Sequence, residues 1–478
     1  MILHDEIKNL VTEWGLREDI IEKDYVLGWV LWGIGTDPVL STTWIFKGGT
    51  CLKKCFLETY RFSEDLDFTI LPEGPVTPEE VGPLVAGVLS RVYAESGIDF
   101  SVREPRFTSR GNPLSTEGRI YYRGPRQAYT PGSIKLDLTQ HEKVVQPPVL
   151  RPISHPFSDP LPAPGVVQAY AYEEVFAEKI RAMGERCRPR DLYDIVNLFR
   201  RGEFRQYPDL VRGVLGEKCA FKDIAIPSYT SLEASPFRAE LESEWANMLG
   251  HQLPQLPALE SFWDELKELF AWLEGEELPA ELVPMAVEED VDLAWAPPPT
   301  ISTWDQGVPI EAIRFAAVNH LCVELGYDGR KRLIEPYSLR RTREGNLILH
   351  ALRLPDRGHR SYRLDRIQSV RLTDQIFRPV YAIEFSARGP FSAPPTPPRG
   401  AGMIPSRPPR AQTRRASQRR SSFAAPKARS GIEYIIECPV CSKKFTRSKH
   451  DTALRPHKDK QGWPCHGRAG FLVETRLR

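Results

Sequence analysis

The chain has 478 residues, with 64 Lys and Arg against 63 Asp and Glu and 41% hydrophobic residues. That length is too great for one ordinary domain, and the even charge excludes a chain that is basic or acidic throughout. Asymmetry is local: residues 264–293 are acid-rich, while 391–430 carry several arginines and no acid.

No targeting signal is visible, and the apolar run Val26–Ile34 is too short to span a bilayer, so no membrane partner is expected. Five cysteines (Cys51, Cys55, Cys187, Cys219, Cys322) are scattered, and three (Cys438, Cys441, Cys465) lie near the C-terminus. That is a poor disulfide framework and a plausible metal site in a reducing, cytoplasmic setting.

Residues 1–36 read as helical and contain Glu22-Lys23-Asp24-Tyr25. A short strand at Trp44-Ile45-Phe46 leads into a glycine turn, Lys47-Gly48-Gly49-Thr50. Leu52 to Tyr60 fits a helix, and Leu66 to Ile70 alternates as a strand. Thr77-Pro78-Glu79-Glu80 starts a helix that runs to Ser96. Strands are expected over 99–109, 117–124 and Ile134–Thr139, the last with Lys135, Asp137 and Thr139 on one face. Tyr172 to Arg186 is an amphipathic helix stopped by Pro189, and another starts at Arg190. Helices continue to about residue 275.

A Pro-rich acidic linker is expected over 276–303. Residues 304–390 then form a β-rich module, with turn signals at Tyr327-Asp328-Gly329, Glu344-Gly345-Asn346 and Pro355-Asp356-Arg357-Gly358. Residues 391–430 are Pro/Arg/Ser-rich with too few apolar groups to fold alone. A last module occupies 431–478.

Four patterns in residues 1–275 converge on one chemistry. The glycine pair lets backbone approach phosphate. Asp65 and Asp67, at i and i+2 on a strand, share a face and offer hard oxygen ligands to Mg²⁺. Asp137 is a third carboxylate, able to complete the metal site or accept a proton from an attacking hydroxyl. Lys179 borders the apolar stripe of its helix and can reach a triphosphate or simply snorkel. Arg190 and Asp194 lie one turn apart, so a helix-stabilising ion pair is the bland reading. Taken singly, each pattern is equally a plain turn, an acidic strand or a solvated helix face.

Together they resemble the AbiEii/AbiGii-type nucleotidyltransferase toxins, which include the MenT toxins. The resemblance covers roughly 15–200. Its motifs are Glu22-Lys23-Asp24-Tyr25, Phe46-Lys47-Gly48-Gly49-Thr50-Cys51-Leu52, Arg61-Phe62-Ser63-Glu64-Asp65-Leu66-Asp67-Phe68, Lys135-Leu136-Asp137, Glu178-Lys179-Ile180-Arg181-Ala182 and Arg190-Asp191-Leu192-Tyr193-Asp194. It implies an α+β, polymerase-beta-like core with a helical C-terminal part. It also implies NMP transfer from an NTP with Mg²⁺ or Mn²⁺, to an RNA acceptor such as tRNA, by a toxin or phage-defence effector with a cognate antitoxin. Asp65, Asp67 and Asp137 would hold the metal. Gly48, Gly49, Thr50, Ser63, Lys135, Lys179 and Arg190 would bind the nucleotide, and Asp191 would act as base or positioning residue. Gly49 stands where the wider superfamily has serine, which leaves a hydroxyl contact to Thr50 or to backbone. Two other functions use the same residues: NTP sensing without turnover, and NMP transfer to protein.

Residues 332–340 and 360–367 resemble a WYL-type domain, a small SH3/Sm-like barrel, although Leu347-Ile348-Leu349-His350 stands where the naming tripeptide is expected. Arg340, Arg360, Arg363 and Arg366 are its candidates for an anionic partner. In the tail, Cys438-Pro-Val-Cys441 is a zinc knuckle, with Cys465 and His457 as further ligands and His450 and His466 in reserve. Lys443, Lys444, Arg447, Lys449, Arg455, Lys458 and Lys460, with Phe445 and Trp463, suit nucleic acid.

Overall fold

The computed structural model describes residues 1–57, 61–111, 114–201, 205, 207–276 and 310–385. It also describes 278, 282–285, 290–292 and 295 and, near the C-terminus, 432–438, 443–447, 454–458, 464–465 and 471–477. Most of the expected 276–303 linker and all of 391–430 lie outside these residues.

Helices α1 (His4–Trp14) and α2 (Glu18–Gly35) and a single turn, α3 (Leu40–Thr43), lead into strand β1 (Trp44–Lys47). The glycine pair opens a further single turn, α4 (Gly48–Cys51), which widens into a π-helical turn over Leu52–Phe56. Then follow β2 (Asp65–Ile70), α5 (Pro78–Ser96), β3 (Arg106–Ser109), β4 (Ser115–Tyr122), β5 (Gly132–Thr139), β6 (Val149–Pro152) and β7 (Val166–Ala169). These strands form one mixed sheet in the order β3-β4-β5-β2-β1-β7-β6. β2 is parallel to β5 and β1 to β7; every other pairing is antiparallel.

Helix α2 is apolar nearly all round and is correspondingly buried from Ile20 to Ile34, except at Lys23. It packs against α5, β5 and β7. Helix α5 starts at a capping box in which Thr77 and Glu80 satisfy each other's backbone groups, with Pro78 in its first turn. The strand expected over 99–109 shortens to β3, because Asp99 accepts the Ser101 backbone N–H at 2.8 Å and turns the chain there. The helix expected to reach Tyr60 stops at Phe56, where the Leu57 N–H bonds the Leu52 carbonyl five residues back and the chain becomes extended.

Beyond the sheet come α6 (Tyr172–Arg186), α7 (Pro189–Phe199), α8 (Pro208–Phe221), α9 (Tyr229–Glu233), α10 (Arg238–Leu249), α11 (Leu259–Trp263) and α12 (Leu266–Leu273). This helical run agrees with the sequence reading.

A last helix, α13 (Ile310–Val318), precedes β8 (Leu321–Tyr327), β9 (Arg330–Arg341), β10 (Leu347–Arg353), β11 (Gly358–Arg363) and β12 (Ile367–Ile376). They form a five-stranded sheet in the order β11-β10-β9-β8-β12, a meander whose last strand returns beside its first. Asp328 and Gly329 both take positive φ, the requirement of a type I′ hairpin turn. Among the described residues β11 and β12 do not pair with each other, so the sheet is open there. Its core is continuous with that of the first sheet. Helix α13 packs on α1, and Tyr193 donates a buried 2.9 Å hydrogen bond to Asn319.

The tail forms β13 (Ile432–Glu437), β14 (Lys444–Arg447), β15 (His457–Lys458), β16 (Pro464–Cys465) and β17 (Phe471–Leu477). β13 is flanked by β14 and β17, and β17 lies against β12. Among the described residues no helix is long and apolar enough to cross a membrane.

Candidate active site

The glycine pair is dictated by what surrounds it. Gly48 has φ +79°, and a Cβ there would stand 2.4 Å from Asp67 Oδ2. A Cβ on Gly49 would stand 2.4 Å from Arg61 Nη2 and 3.2 Å from Ser63 Oγ. Asp67 and Arg61 therefore occupy space that only glycine leaves open, with Ser63 close beside. Thr50 is buried, and its hydroxyl donates to the Asp65 carbonyl. It ties the turn to β2 and is not presented to a ligand, contrary to the sequence expectation.

Strand register lines up the carboxylates. Asp67 faces Lys47 on β1 and Asp137 on β5, and Asp65 faces Lys135. One strand further out, Glu117 faces Asp137 and Arg119 faces Lys135. All these side chains share one face of the sheet, because register partners and i+2 neighbours point the same way.

Among the described residues nothing hydrogen-bonds to the carboxylates of Asp65 or Asp67. Burial pushes Asp67 up to about 6; Asp137 and Asp65 add to the rise, while Lys47 and Lys179 oppose it. Asp65 is raised too, first by burial, with Lys135 and Arg190 opposing. Asp137 differs: Lys135 Nζ lies 2.8 Å and Arg110 Nη1 3.0 Å from it. Its oxygens do not close with those of Asp65 and Asp67 into a cluster within 4.8 Å. As it stands, Asp137 anchors two cations; it is not drawn in as a third ligand.

Lys179 is buried on α6, 2.6 Å from Asp194 and 3.5 Å from Asp191. Asp194 also takes a two-pronged bond from Arg61, at 2.7 and 2.8 Å, and the same guanidinium reaches Gln252 at 3.1 Å. Arg61 and Lys179 hold Asp194 well below the ordinary carboxylate range, against its burial. The expected Arg190–Asp194 ion pair does not form, because Asp194 points into the core toward these two cations. Arg190 instead sits near Asp65, with its Nε buried and unbonded among the described residues. Asp191 is fully buried and gripped by Arg186 at 2.7 and 3.0 Å.

Sequence reasoning missed Arg61, Asp194, Lys47 and Arg110 as parts of this site. The first three lie inside the quoted motifs, so the signal was present; their partners were not visible. The Glu22-Lys23-Asp24-Tyr25 motif proves to be a set of ties. Glu22 accepts the Arg126 backbone N–H at 2.8 Å, and Lys23 pairs with Glu64, next to Asp65. Asp24 pairs with buried Lys54 at 2.7 Å, and Tyr25 donates to Asp159 at 2.6 Å. Such buried pairs add little net stability, but their geometry fixes α2 against the loops around the site.

Elsewhere, Arg340, Arg360 and Arg363 are occupied by Glu384, Asp356 and Asp365, whereas Arg366 makes no ion pair with a described residue. In the tail, ligand atoms of Cys438, His457 and Cys465 lie within 4.8 Å of one another, with the two sulfurs 3.7 Å apart and unbridged. Cys441, His450 and His466 lie outside the described residues.

No curated protein matches the chain. Among solved structures it is similar to MenT4, a nucleotidyltransferase toxin from Mycobacterium tuberculosis H37Rv, at 19% identity and a TM-score of 0.37, over 56% of this chain and 90% of that one. Residues 30–271, just over half of the chain, match the family described as "Nucleotidyl transferase AbiEii toxin, Type IV TA system", and the chain belongs to that family of nucleotidyltransferase toxins.

Proposed function

We propose that the protein transfers an NMP from an NTP to an RNA acceptor, tRNA being the leading candidate, and that Asp65 and Asp67 hold the divalent metal this requires. The observation that carries the reading is a pair of carboxylates on one face with no donor among the described residues, one of them buried enough to be raised to about 6. Hard, unpaired oxygens in a half-buried setting suit Mg²⁺ or Mn²⁺. A divalent metal held there by Asp65 and Asp67 would supply neutralisation of the negative charge on the nucleotide's phosphates.

The chain's own residues do the rest. Lys179 and Arg190 flank Asp67 and Asp65 and counter the triphosphate. Lys135 and Arg110, anchored by Asp137, stand on the open side of the carboxylates. They offer positive charge on the acceptor's side; as the acceptor oxygen bonds to the α-phosphorus, the bond to pyrophosphate breaks and pyrophosphate leaves on the triphosphate side, countered by Lys179 and Arg190. Ser63 and the Gly48–Gly49 backbone line the turn below.

Purified protein, each α-labelled NTP, Mg²⁺ and total tRNA or lysate test this. Label in RNA supports the reading. Label in protein alone would replace it with protein NMP transfer, and bound but untransferred NTP would indicate a sensor.

We also infer that the tail holds a structural Zn²⁺ on Cys438, His457 and Cys465, with Cys441 as fourth ligand. Nδ1 of His457 lies 2.9 Å from the Arg455 carbonyl and donates to it, which leaves Nε2 as the lone-pair donor. The SH3/Sm-like reading of β8–β12 rests on strand order, a meander closed back on its first strand.

A further inference from the structure

Three cations stand in register across the outer half of the first sheet. Arg106 on β3 faces Arg119 on β4, Arg119 faces Lys135 on β5, and Lys135 faces Asp65 on β2. Neighbouring strands lie about 4.8 Å apart, so the row runs roughly 14 Å from the sheet's edge strand to the metal-binding carboxylate.

Like charges directly opposite one another on a sheet are unfavourable. Here two such pairs follow in succession. Lys135 is partly neutralised by Asp137. Arg106 and Arg119 are exposed and make no ion pair or side-chain hydrogen bond with a described residue. Glu117, two residues from Arg119 on the same face, pairs with Arg110 and lies 3.8 Å from Lys135. Arg103 adds a further guanidinium, stacked 4.3 Å over Tyr121, two residues from Arg119 on the same face. Folding alone gives no reason for this arrangement; a polyanion laid across the strands does.

We propose that the row Arg106–Arg119–Lys135 is the track on which the acceptor's phosphate backbone lies, leading its terminal nucleotide to Asp65. This rests on the RNA-acceptor reading. A row of two guanidiniums without an ion pair among the described residues, followed by the Lys135 ammonium and ending at the carboxylates, fits a chain of phosphates. A folded protein acceptor would call for an apolar contact surface beside it.

The test is the double variant Arg106→Thr/Arg119→Thr, with Arg106→Lys/Arg119→Lys as the charge-conserving companion. Binding of total tRNA is measured between 50 and 200 mM salt, alongside NTP binding and RNA labelling. Each lost phosphate contact should lower the slope of log affinity against log salt by about 0.7–0.9, so the Thr pair should lose roughly 1.5 and bind about tenfold or more weakly. NTP binding should be unchanged, and the Lys pair should restore most of the slope. Wild-type labelling of RNA with slope and affinity unaltered in the Thr pair would overturn the track and leave the RNA reading standing. Labelling of protein alone by the wild type would overturn both.

Discussion

Gly48 and Asp67 are a fitted pair: the Asp67 carboxylate oxygen lies 2.4 Å from where a Gly48 side chain would begin. Gly48→Ala must therefore push Asp67 aside and also hold a positive φ that alanine resists. A strained residue of this kind costs roughly 1–3 kcal/mol. A displacement near 1 Å at reacting groups costs about 100-fold in rate. The expected outcome is folded protein with a lower midpoint in urea and transfer reduced at least that far. Near-native transfer by Gly48→Ala would show that the turn does not set the position of Asp67.

Asp67→Asn separates charge from shape. The folded pKa of Asp67 is about 6 against an ordinary 3.8. A raised carboxylate favours the folded state below its unfolded pKa, and that contribution is lost as pH rises through the folded value. Metal-free wild type therefore carries an unfavourable charge at pH 7.5 that the Asn variant lacks. The variant should lose transfer altogether while its metal-free melting temperature stays equal or rises. Mg²⁺ should raise the wild-type melting temperature more at pH 7.5 than at pH 5, and should not raise that of Asp67→Asn at either. An equal Mg²⁺ response in both proteins would count against Asp67 as a ligand.

Arg61 and Asp194 make a buried pair beneath the glycine turn, with Lys179 as a third member. Arg61→Met leaves Asp194 with one cation where it had two, and removing one partner of a buried pair costs about 3–5 kcal/mol. Asp194 has a depressed pKa, so its stabilising contribution is complete above the ordinary value of 3.8 and fades only as pH falls below it. Urea unfolding at pH 7 should show the loss. The double variant Arg61→Met/Asp194→Leu should cost clearly less than the two single changes added together. Strict additivity would mean the two side chains do not act as a unit.

The local parts of this site were legible in the sequence. Asp65 and Asp67 share a face because a strand has period two, and the glycine pair marked a turn. Asp137 was expected on a neighbouring strand, and β5 does lie beside β2; the residue-by-residue register Asp67–Asp137 was not legible, because it joins segments far apart in the chain. Arg61 shows the same limit: its partner Asp194 is 133 residues away. Helical spacing offered Asp194 to Arg190, but spacing says only which residues can meet. The burial of Asp194 on the inner face of α7 decides for Arg61 and Lys179. In the β-rich module the turn residues placed the hairpins, since positive φ at Asp328 and Gly329 is a local requirement.

The tail supplies the last prediction. Cys438, His457 and Cys465 come from three separate short segments; among the described residues the two cysteines form a small buried cluster with Ile436 and Leu454, and the half-buried His457 lies beside the sulfurs. A module of 48 residues is small for an independent core, and a metal on these ligands would add stability to it. Purified protein should carry one zinc per chain by elemental analysis. Strong chelation, Cys438→Ser or His457→Ala should release it and open the tail to limited proteolysis. Residues 30–271 should keep their melting temperature, because their core does not include the tail cluster. His457→Cys should retain zinc, since a thiolate replaces an imidazole at a tetrahedral site more readily than alanine does. A full-length protein free of zinc, with a protease-resistant tail, would show that the two sulfurs and the imidazole meet for packing alone.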